Sequence, residues 1–452
     1  MRLTFLGATN TVTGSKFLLS IDNKKILIDC GLFQGIKELR QRNWTKFPIE
    51  PHLIDSVIVT HAHIDHSGYL PVLVKNGFTG NVYCSNATKE LCSILLPDSG
   101  YLQEEEAKFA NKHGYSKHKP AQPLYTRADA EHCLLQFRAL EFRKNYKIAE
   151  ETHISLIPAG HILGASFIQV KHHGTTVLFS GDLGRPHDPI MYPPSVMQAA
   201  DYLILESTYG NRLHKKINPV DELCEIINRT AERGGTVVIP AFAVGRAQHL
   251  LYIMYELKKS KRIPDLPIYL DSPMAKDATD IFRKYTDLHR LNEDLSQKVC
   301  EIATYVNSKE ESQAIDLKTE PKVIISASGM LEGGRVLHHI RVFVQDPNNT
   351  IVFAGYQASG TRGAEVISGK ESIKIFGETI PVRAKVEVLS NMSAHADYEE
   401  ILDWLRHFNH HPRKVFITHG EPEAALSLKE KIEEQYKWPC VIPDYLHSEV
   451  LS

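Results

Sequence analysis

Short apolar runs that each end near an ionisable residue are the clearest pattern along this chain. The runs rich in valine, isoleucine and leucine are residues 26–28, 57–60, 177–180, 203–205 and 415–418. Their length and composition predict buried β-strands. The ionisable residues that follow them within two positions are Asp29, His61, Asp182, Glu206 and His419. Side chains placed at strand ends are typical of a rigid sheet that carries a site built from loops.

Helical patterns lie between the predicted strands. Ile401, Trp404, Leu405 and Phe408 recur at the i, i+3, i+4, i+7 spacing of one apolar helix face. Similar patterns occupy residues 221–233, 246–259 and 421–436. The alternation of strands and helices predicts an α/β protein, but it does not give the strand order.

The domain organisation follows from where the ionisable strand ends occur. They cluster before about residue 210 and return near the C-terminus, whereas the intervening stretch has its own alternation of strands and helices. We therefore expect an inserted α/β domain at residues 209–370, with the first domain at 1–208 resuming at 371–452. Residues 97–127 are polar and rich in lysine and histidine, which predicts an exposed excursion of the first domain.

Composition excludes several classes of protein. The 452 residues are 42% hydrophobic and 23% charged, which is typical of a soluble globular protein. No apolar stretch approaches the roughly 18 residues of a membrane span, so no membrane partner is expected. The seven cysteines lack CxxC spacing and favour reduced thiols in the cytoplasm. A net charge of −2 excludes a globally basic nucleic-acid binder and leaves room for a local basic groove.

Residues 61–66 read HAHIDH and place four metal-binding side chains within six positions. In an extended segment, His61 and His63 point to the same side, so they can share one metal ion. Asp65 and His66 lie beyond the turn and can face a second metal ion about 3.5–4 Å from the first. The alternative interpretation is a polar surface loop with exposed histidines.

Three more residues complete a candidate ligand set with residues 61–66. Taken alone, His161 is a structural histidine, Asp182 is a turn aspartate and His419 is a helix-capping residue. Taken together with the HAHIDH segment, they bring the number of candidate ligands to seven.

This combination of motifs resembles the metallo-β-lactamase superfamily. HAHIDH is accompanied in order by Asp29, His161, Asp182 and His419. Glu206 in LESTY, His395 in SAHAD and His419 resemble the three further motifs of the β-CASP nucleases. The match covers nearly the whole chain and is most similar to prokaryotic homologues of the pre-mRNA 3′-end-processing endonuclease subunit. It implies an αββα sandwich, an inserted β-CASP domain and an active site in the cleft between them.

The same resemblance implies two zinc ions per chain. One ion would be held by His61, His63 and His161, and the other by Asp65, His66 and His419. Asp182 would bridge the two ions. Asp29 would orient ligands and the bound hydroxide, and Glu206 would hydrogen-bond a ligand histidine or His395.

The chemistry expected of this set is phosphodiester hydrolysis by a metal-bridging hydroxide, which two zinc ions make available near neutral pH. The leaving alkoxide needs a proton. His395 lies outside the ligand set and is suited to act as general acid, and the resemblance also favours this role. The alternative is that His395 only hydrogen-bonds the scissile phosphate. The candidate catalytic carboxylates are Asp29, Asp65, Asp182 and Glu206.

Gly-Arg pairs recur within the expected insert. A guanidinium beside flexible backbone is suited to phosphate, although any single pair is more often a simple turn. Their recurrence and their similarity to β-CASP loops favour contact with the backbone of single-stranded RNA. The candidate substrate-binding residues are Arg246, Ser328, Arg335, Ser359, Arg362 and Ser393.

The sequence thus favours a zinc-dependent ribonuclease. Three alternatives remain. They are a 5′-to-3′ exoribonuclease, a metallo-β-lactamase-fold hydrolase of small esters, thioesters or lactams, and a non-catalytic RNA-binding or scaffold member that has lost its metals. RNA-directed β-CASP enzymes carry histidine at the position of His419, whereas the DNA cross-link repair branch typically carries valine. About 30 residues follow His419, without the C-terminal domain of RNase J-type 5′ exonucleases. We therefore expect mainly endonucleolytic cleavage with some 5′-to-3′ trimming. The oligomeric state stays open, a homodimer included.

Overall fold

The structure is a computed structural model that describes residues 1–114 and 118–452. Its strands are β1 (Arg2–Phe5), β2 (Phe17–Ile21), β3 (Lys24–Ile28), β4 (Ser56–Ile58), β5 (Asn81–Ser85), β6 (Phe137–Leu140), β7 (Tyr146–Ala149), β8 (Thr152–Pro158), β9 (Ser166–His172), β10 (Thr175–Phe179), β11 (Tyr202–Glu206), β12 (Thr236–Pro240), β13 (Ile268–Asp271), β14 (Thr304–Tyr305), β15 (Lys322–Ser326), β16 (Thr350–Phe353), β17 (Ser372–Ile375), β18 (Glu378–Pro381), β19 (Lys385–Val388), β20 (Lys414–Thr418), β21 (Cys440–Val441) and β22 (Ser448–Val450).

The helices are α1 (Lys37–Arg42), α2 (Ile64–Ser67), α3 (Leu70–Lys75), α4 (Asn86–His113), α5 (Arg127–Leu134), α6 (Pro219–Glu232), α7 (Arg246–Lys259), α8 (Pro273–Lys284), α9 (Glu293–Cys300), α10 (Lys309–Asp316), α11 (Val336–Phe343), α12 (Arg362–Ile367), α13 (Tyr398–Leu405) and α14 (Pro422–Tyr436). Short 3₁₀ turns occur at Pro51–Leu53, Thr286–Leu288 and Ser390–Met392. The predicted α/β class is therefore confirmed.

The first of two compact units comprises residues 1–213 and 395–452. It contains two seven-stranded sheets, ordered β22-β1-β2-β3-β4-β5-β6 and β21-β20-β11-β10-β9-β8-β7. Both sheets contribute to one apolar core, which includes Phe5 and Leu19 from one sheet and Ile168, Phe179 and Phe416 from the other. Two sheets packed on a shared core are what the αββα expectation requires.

The second unit, residues 214–394, is built on a six-stranded sheet ordered β14-β13-β15-β12-β16-β19. Every strand pair in this sheet is parallel. Parallel strands require crossover connections, and helices α6 to α11 alternate with the strands accordingly. Val238, Ile324, Ile340 and Phe353 belong to its apolar core.

The boundaries of this second unit differ from the expected limits of 209–370. The difference is largest at the C-terminal side, where the unit continues to residue 394. β19 lies beyond residue 370, and its residues pair in parallel with β16. The last strand of the inserted sheet therefore comes from the stretch that the sequence pattern assigned to the returning first domain.

The polar stretch 97–127 combines exposed residues with partly and fully buried ones, and much of it is helical. Residues 115–117 of this stretch lie outside the described residues. α4 continues through Pro97 as far as His113. Gly100 allows α4 to approach the segment before α5, because a Cβ atom there would lie 2.7 Å from backbone atoms of Thr126 and Arg127.

Among the described residues, every helix falls short of the combined length and apolar character that a bilayer crossing demands.

Candidate metal centre

Neighbouring strands of the first unit deliver the candidate residues to common sheet edges. β10, β11 and β20 are consecutive parallel neighbours, so Asp182, Glu206 and His419 follow or end strands at the same edge. In the other sheet, β3 pairs in parallel with β4, which brings Asp29 close to His61. This arrangement accounts for the recurrence of ionisable residues at strand ends.

Three histidines and one carboxylate form the first cluster of donors. We call His61, His63 and His161 the three-histidine group. His63 Nδ1 lies 3.1 Å from His61 Nε2 and 3.3 Å from His161 Nε2. Oδ2 of Asp182 lies 3.3 Å from His61 Nε2 and 3.4 Å from His161 Nε2. Ligand atoms at about 2.0–2.1 Å around a tetrahedral zinc ion are spaced about 3.3–3.4 Å apart, so this cluster fits such an ion.

The second cluster, which we call the Asp65 group, consists of Asp65, His66 and His419. His66 Nε2 lies 3.2 Å from His419 Nε2, and His419 Nε2 lies 3.5 Å from Asp65 Oδ2. All candidate ligand atoms of this group lie within 4.8 Å of one another, as do those of the three-histidine group with Asp182. The two nitrogens and the carboxylate oxygen suit a metal ion of the same kind.

Asp182 contacts both clusters through different oxygens. Its Oδ2 faces His61 and His161, whereas its Oδ1 lies 3.1 Å from His66 Nε2. The side chain is buried, so neither oxygen is turned to solvent. A carboxylate placed in this way has the geometry of a bridging ligand.

The electrostatics of the centre also fit a metal site. Burial lowers the pKa of His61 to about 3, and burial likewise lowers the pKa values of His63 and His161. These imidazoles are therefore neutral near pH 7, which is the form that binds metal. Burial alone would raise the pKa of Asp182, but the nearby His419 and His66 hold it well below its usual range. The carboxylate is therefore ionised.

Asp29 and Thr60 hold His66 from the side opposite the cluster. Asp29 Oδ2 lies 2.8 Å from His66 Nδ1. Thr60 donates to Asp29 from its backbone N–H and its hydroxyl, at 2.7 and 2.9 Å. A carboxylate on the far nitrogen of a ligand histidine fixes the orientation of the ring. Asp29 therefore orients His66.

Gly31 lets the loop after β3 pass close to Asp65, because a Cβ atom at Gly31 would lie 1.6 Å from the Asp65 carbonyl oxygen.

Glu206 contacts His395 and does not belong to either cluster. Its carboxylate oxygens lie 3.1 and 3.2 Å from His395 Nδ1. The Leu183 N–H donates to Oε1 at 2.5 Å, and the Thr208 hydroxyl donates to Oε2 at 2.6 Å. Burial opposes protonation of His395, but the carboxylates of Glu206 and then Asp182 outweigh it and raise its pKa to about 9. The sequence predicts that Glu206 contacts either a ligand histidine or His395, and in the structure its carboxylate contacts His395.

The segment that carries His395 is paired with the rest of the first unit. An antiparallel bridge joins His395 to Gly184, and the Ala396 N–H donates to the Leu183 carbonyl oxygen at 2.9 Å. Gly184 permits this arrangement, because a Cβ atom there would lie 2.5 Å from the backbone nitrogen of His161. His395 is thus fixed next to the three-histidine group, with its ring 4.6 Å from that of His161.

Three family models match successive parts of the sequence. The metallo-β-lactamase superfamily matches residues 12–224, the β-CASP domain matches 247–366 and the Zn-dependent metallo-hydrolase RNA specificity domain matches 379–443. A ribonuclease of Thermus thermophilus is 37% identical over 436 residues, which are 95% of each chain. The chain belongs to the β-CASP branch of the metallo-β-lactamase superfamily. The resemblance noted in the sequence is therefore confirmed.

Further relatives of this β-CASP protein carry different names. An RNase J-like protein of Methanocaldococcus jannaschii is 30% identical, over 98% of this chain and 97% of its own. The transcription termination factor FttA of Methanosarcina mazei is 33% identical, over 97% of this chain and 69% of its own. A protein of unknown function from Enterococcus faecalis shares the fold, with a TM-score of 0.57, 13% identity and coverage of 100% and 99%. Membership of the family makes the chain a metal-dependent hydrolase.

The candidate substrate-binding residues of this β-CASP protein lie in the second unit. Arg246, which begins α7, and Ser393 are buried, whereas Ser359 is exposed. The Ser328 hydroxyl donates to the Gly333 carbonyl oxygen at 3.1 Å and accepts from the Glu332 N–H at 3.1 Å. These four residues therefore differ widely in exposure, and Ser328 already closes a turn.

Arg335 and Arg362 have partners within the same unit. Arg335 Nη1 lies 2.7 Å from Asp271 Oδ1, and its Nη2 donates to the Asn307 carbonyl oxygen at 2.8 Å. Arg362 donates to the carbonyl oxygens of Lys374 and Leu331, both at 2.9 Å. Phosphate binding by these residues stays a prediction, and a phosphate would have to share or replace these partners.

Two residues of the site carry no assigned role in the sequence interpretation. Thr60 joins Asp29 to the ligands, with its hydroxyl 3.1 Å from His61 Nδ1. Thr208 joins Glu206 to the Asp65 group, with its hydroxyl 3.1 Å from His419 Nδ1. Both lie next to recognised motifs, one before HAHIDH and the other in LESTY. A small hydroxyl residue beside a motif carboxylate or histidine is the signal that points to them.

Proposed function

We propose that this β-CASP hydrolase is a zinc-dependent ribonuclease that cuts single-stranded RNA mainly at internal phosphodiester bonds. The observation that carries the proposal is the position of Asp182, which turns one carboxylate oxygen towards each cluster of metal donors. Two clusters joined by a carboxylate are the arrangement that phosphodiester hydrolysis by two metal ions needs.

The choice of RNA has separate support. The RNA specificity domain matches residues 379–443, and two relatives of nearly the same length are named as a ribonuclease and an RNase J-like protein. His419, the residue typical of RNA-directed members, lies in the Asp65 group. A small ester or thioester would require none of these features.

Two zinc ions are the proposed cofactors. The three-histidine group would hold one ion and the Asp65 group the other, with Asp182 shared between them. When bound, the ions supply a nucleophilic hydroxide near neutral pH and offset the charge that builds up on the phosphodiester oxygens.

His395 is the proposed general acid. Glu206 faces Nδ1 of His395, so Nε2 is the atom that delivers a proton to the leaving 3′-oxygen. Leu183 and Thr208 hold the Glu206 carboxylate, and through it the orientation of the imidazole ring. Asp29 and Thr60 do the same for His66. The products are a 3′-hydroxyl and a 5′-phosphate.

A cytoplasmic location is part of the proposal. All seven cysteines are buried and free, as expected for a protein that folds in a reducing compartment.

Circular single-stranded RNA tests the proposal, because it has no ends. The zinc-loaded protein should linearise the circle and then shorten it, chelator should abolish cleavage, and added zinc should restore it. The RNase J-like relative makes a 5′-to-3′ exoribonuclease the second candidate. Efficient digestion of linear RNA alongside an intact circle would establish that candidate instead. Hydrolysis of a small thioester with no action on either RNA would overturn the ribonuclease proposal.

A further inference from the structure

The side chain of Trp44, in the first unit, is turned to solvent. Of the three tryptophans in the sequence, Trp404 and Trp438 are 5% and 6% exposed, whereas Trp44 is 62% exposed. A single exposed apolar residue is common on protein surfaces. The backbone and the charges around Trp44 distinguish it from such a residue.

The backbone beneath Trp44 is anchored. The side chain of the buried Asn43 accepts from the Phe33 N–H at 3.0 Å and donates to the Phe33 carbonyl oxygen at 2.8 Å. The backbone N–H of Trp44 donates to the Gln41 carbonyl oxygen at 3.0 Å. The indole therefore projects from a fixed point of the chain, which reduces the entropy lost when a ligand binds it.

This anchor is continuous with the loop of metal donors. The Leu32 N–H, one residue before Phe33, donates to the Ile64 carbonyl oxygen at 2.9 Å. The Cys30 N–H donates to the His66 carbonyl oxygen at 2.8 Å. A short series of hydrogen bonds thus connects the Asp65 group to the segment that carries Trp44, all within the first unit.

The sequence on either side of Trp44 is basic, although the net charge of the chain is −2. Residues 37–46 contain four cationic side chains, Lys37, Arg40, Arg42 and Lys46, and one acidic side chain, Glu38. Lys46 lies 2.6 Å from Glu50, and Arg42 stacks 4.4 Å from the centre of the Tyr445 ring. Lys37 and Arg40 are exposed and form no ion pair with any residue that the structure describes.

We propose that Trp44, Lys37 and Arg40 form a subsite for one nucleotide of single-stranded RNA. The indole stacks on the base and the two cations contact the adjoining phosphates. An aromatic face with nearby cations binds single strands without selecting a base, because every base has a π face. The subsite rests on the proposed RNA substrate and adds a binding determinant outside the metal centre.

The affinity for a labelled oligoadenylate of ten nucleotides, measured by titration, tests the subsite. The zinc-loaded His395→Ala protein is used as the background so that the strand is not consumed. Binding should quench tryptophan emission, since Trp44 is the accessible indole. Adding Trp44→Ala should weaken binding by about 5- to 150-fold, whereas Trp44→Phe should retain most of the affinity. Leu135→Ala, at a residue of the same unit that is 70% exposed, is the matched control and should bind like the background protein.

Abasic scanning identifies the stacked base. Removing one base from the oligonucleotide should weaken binding at one position in the background protein, and that penalty should disappear with Trp44→Ala. Arg40→Gln should reduce the slope of log affinity against log salt by about one. Zinc content and thermal unfolding confirm that each variant is folded.

The outcomes separate the subsite from the proposed function. Wild-type protein that cleaves RNA, together with unchanged binding after Trp44→Ala, overturns the subsite alone and points to a protein partner for this surface. An abasic penalty that persists in Trp44→Ala has the same consequence. Wild-type protein that neither binds nor cleaves RNA overturns the proposed function and the subsite with it.

Discussion

Nδ1 of His66 lies 2.8 Å from Oδ2 of Asp29, although the two residues are 37 positions apart in the sequence. The contact leaves Nε2 of His66 directed at His419 and Asp182. Asp29 thus supports the Asp65 group without belonging to it. Burial raises the pKa of Asp29, so the contacts with His66 and Thr60 are what favour its ionised form.

Asp29→Asn is expected to weaken zinc binding at the Asp65 group by about 10- to 100-fold, because His66 loses the carboxylate that orients it. Competition with a chromophoric zinc chelator measures the affinity. The control is Asp55→Asn. The Asp55 carboxylate accepts from the Lys25 N–H at 2.8 Å, near the start of β3 and away from the metal donors. Equal zinc affinity in both variants would contradict the role given to Asp29.

Asp182→Ala is expected to remove zinc and activity together, since this carboxylate contacts both donor clusters. His61→Ala should also lose metal, through the three-histidine group. Elemental analysis of the purified proteins gives the zinc content for comparison with the rate of RNA cleavage. Full turnover by Asp182→Ala protein shown to be free of metal would defeat the mechanism.

His395→Ala is expected to retain its zinc while losing about 10²–10⁴ in rate, because His395 supplies a proton rather than a metal bond. The loss should shrink on a phosphodiester with a nitrophenolate leaving group, which departs without protonation. Single-turnover kinetics on both substrates makes the comparison. A zinc content that falls by half in this variant would identify His395 as a ligand.

His339, in the second unit, should make stability depend on pH. Its ring is buried, with Nε2 2.7 Å from Asp271 Oδ2 and Nδ1 2.6 Å from Asp316 Oδ1. Burial opposes protonation, but the two carboxylates outweigh it and raise the pKa of His339 to about 9. The charged pairings therefore stabilise the fold fully below the unfolded-state pKa of about 6.5, and this stabilisation is lost as the pH rises through about 9.

Urea unfolding at pH 6, 7.5 and 9 checks this expectation. Between pH 6 and pH 9, deprotonation of His339 should lower the unfolding free energy of the wild type by on the order of 3 kcal/mol. His339→Gln should be less stable at pH 6 and should lack that dependence. His410→Gln, at an exposed position, should follow the wild type. A His339→Gln protein whose stability falls between pH 6 and pH 9 as much as that of the wild type would disprove the assignment.

Arg362→Ala is expected to weaken RNA binding and to reduce the salt slope of log affinity by about one. Arg335→Ala should do the same and should also lower the free energy of unfolding, because the buried Asp271 loses its guanidinium partner. Binding at several salt concentrations, together with urea unfolding, separates the two effects. Wild-type binding and salt response in both variants would exclude phosphate contact by either arginine.

The sequence predicts much of the metal centre because its signals are local. Asp29 and His61 directly follow strands that the apolar runs identify, and strands of this kind are neighbours in one sheet. The compact second unit continues past residue 370, the predicted end of the insert, because β19 pairs with β16 through backbone hydrogen bonds that leave no mark in the residue pattern. Pairing between distant strands depends on which edges are available, and a single sequence does not show this.

The partners of individual polar side chains also cannot be predicted from the sequence. Arg335 is a predicted phosphate contact, and the structure adds a partner that the sequence does not indicate, Asp271, 64 positions earlier. His339, which contacts the same carboxylate, has no motif around it. Such pairings arise from the tertiary fold, because the spacing along the chain constrains them only weakly.

His419 reaches the centre because β20 pairs with β11. The centre can therefore be complete only after β20 has been synthesised. Thr208 and His419 are in contact although they are 211 positions apart. A ribosome makes the three-histidine group and Asp182 long before it makes His419, so a nascent chain holds only part of the donor set. Domains emerge and fold in order from the N-terminus, and here the whole inserted unit precedes β20. His419 is therefore made only after the whole inserted unit has been translated, so the Asp65 group cannot form before that point.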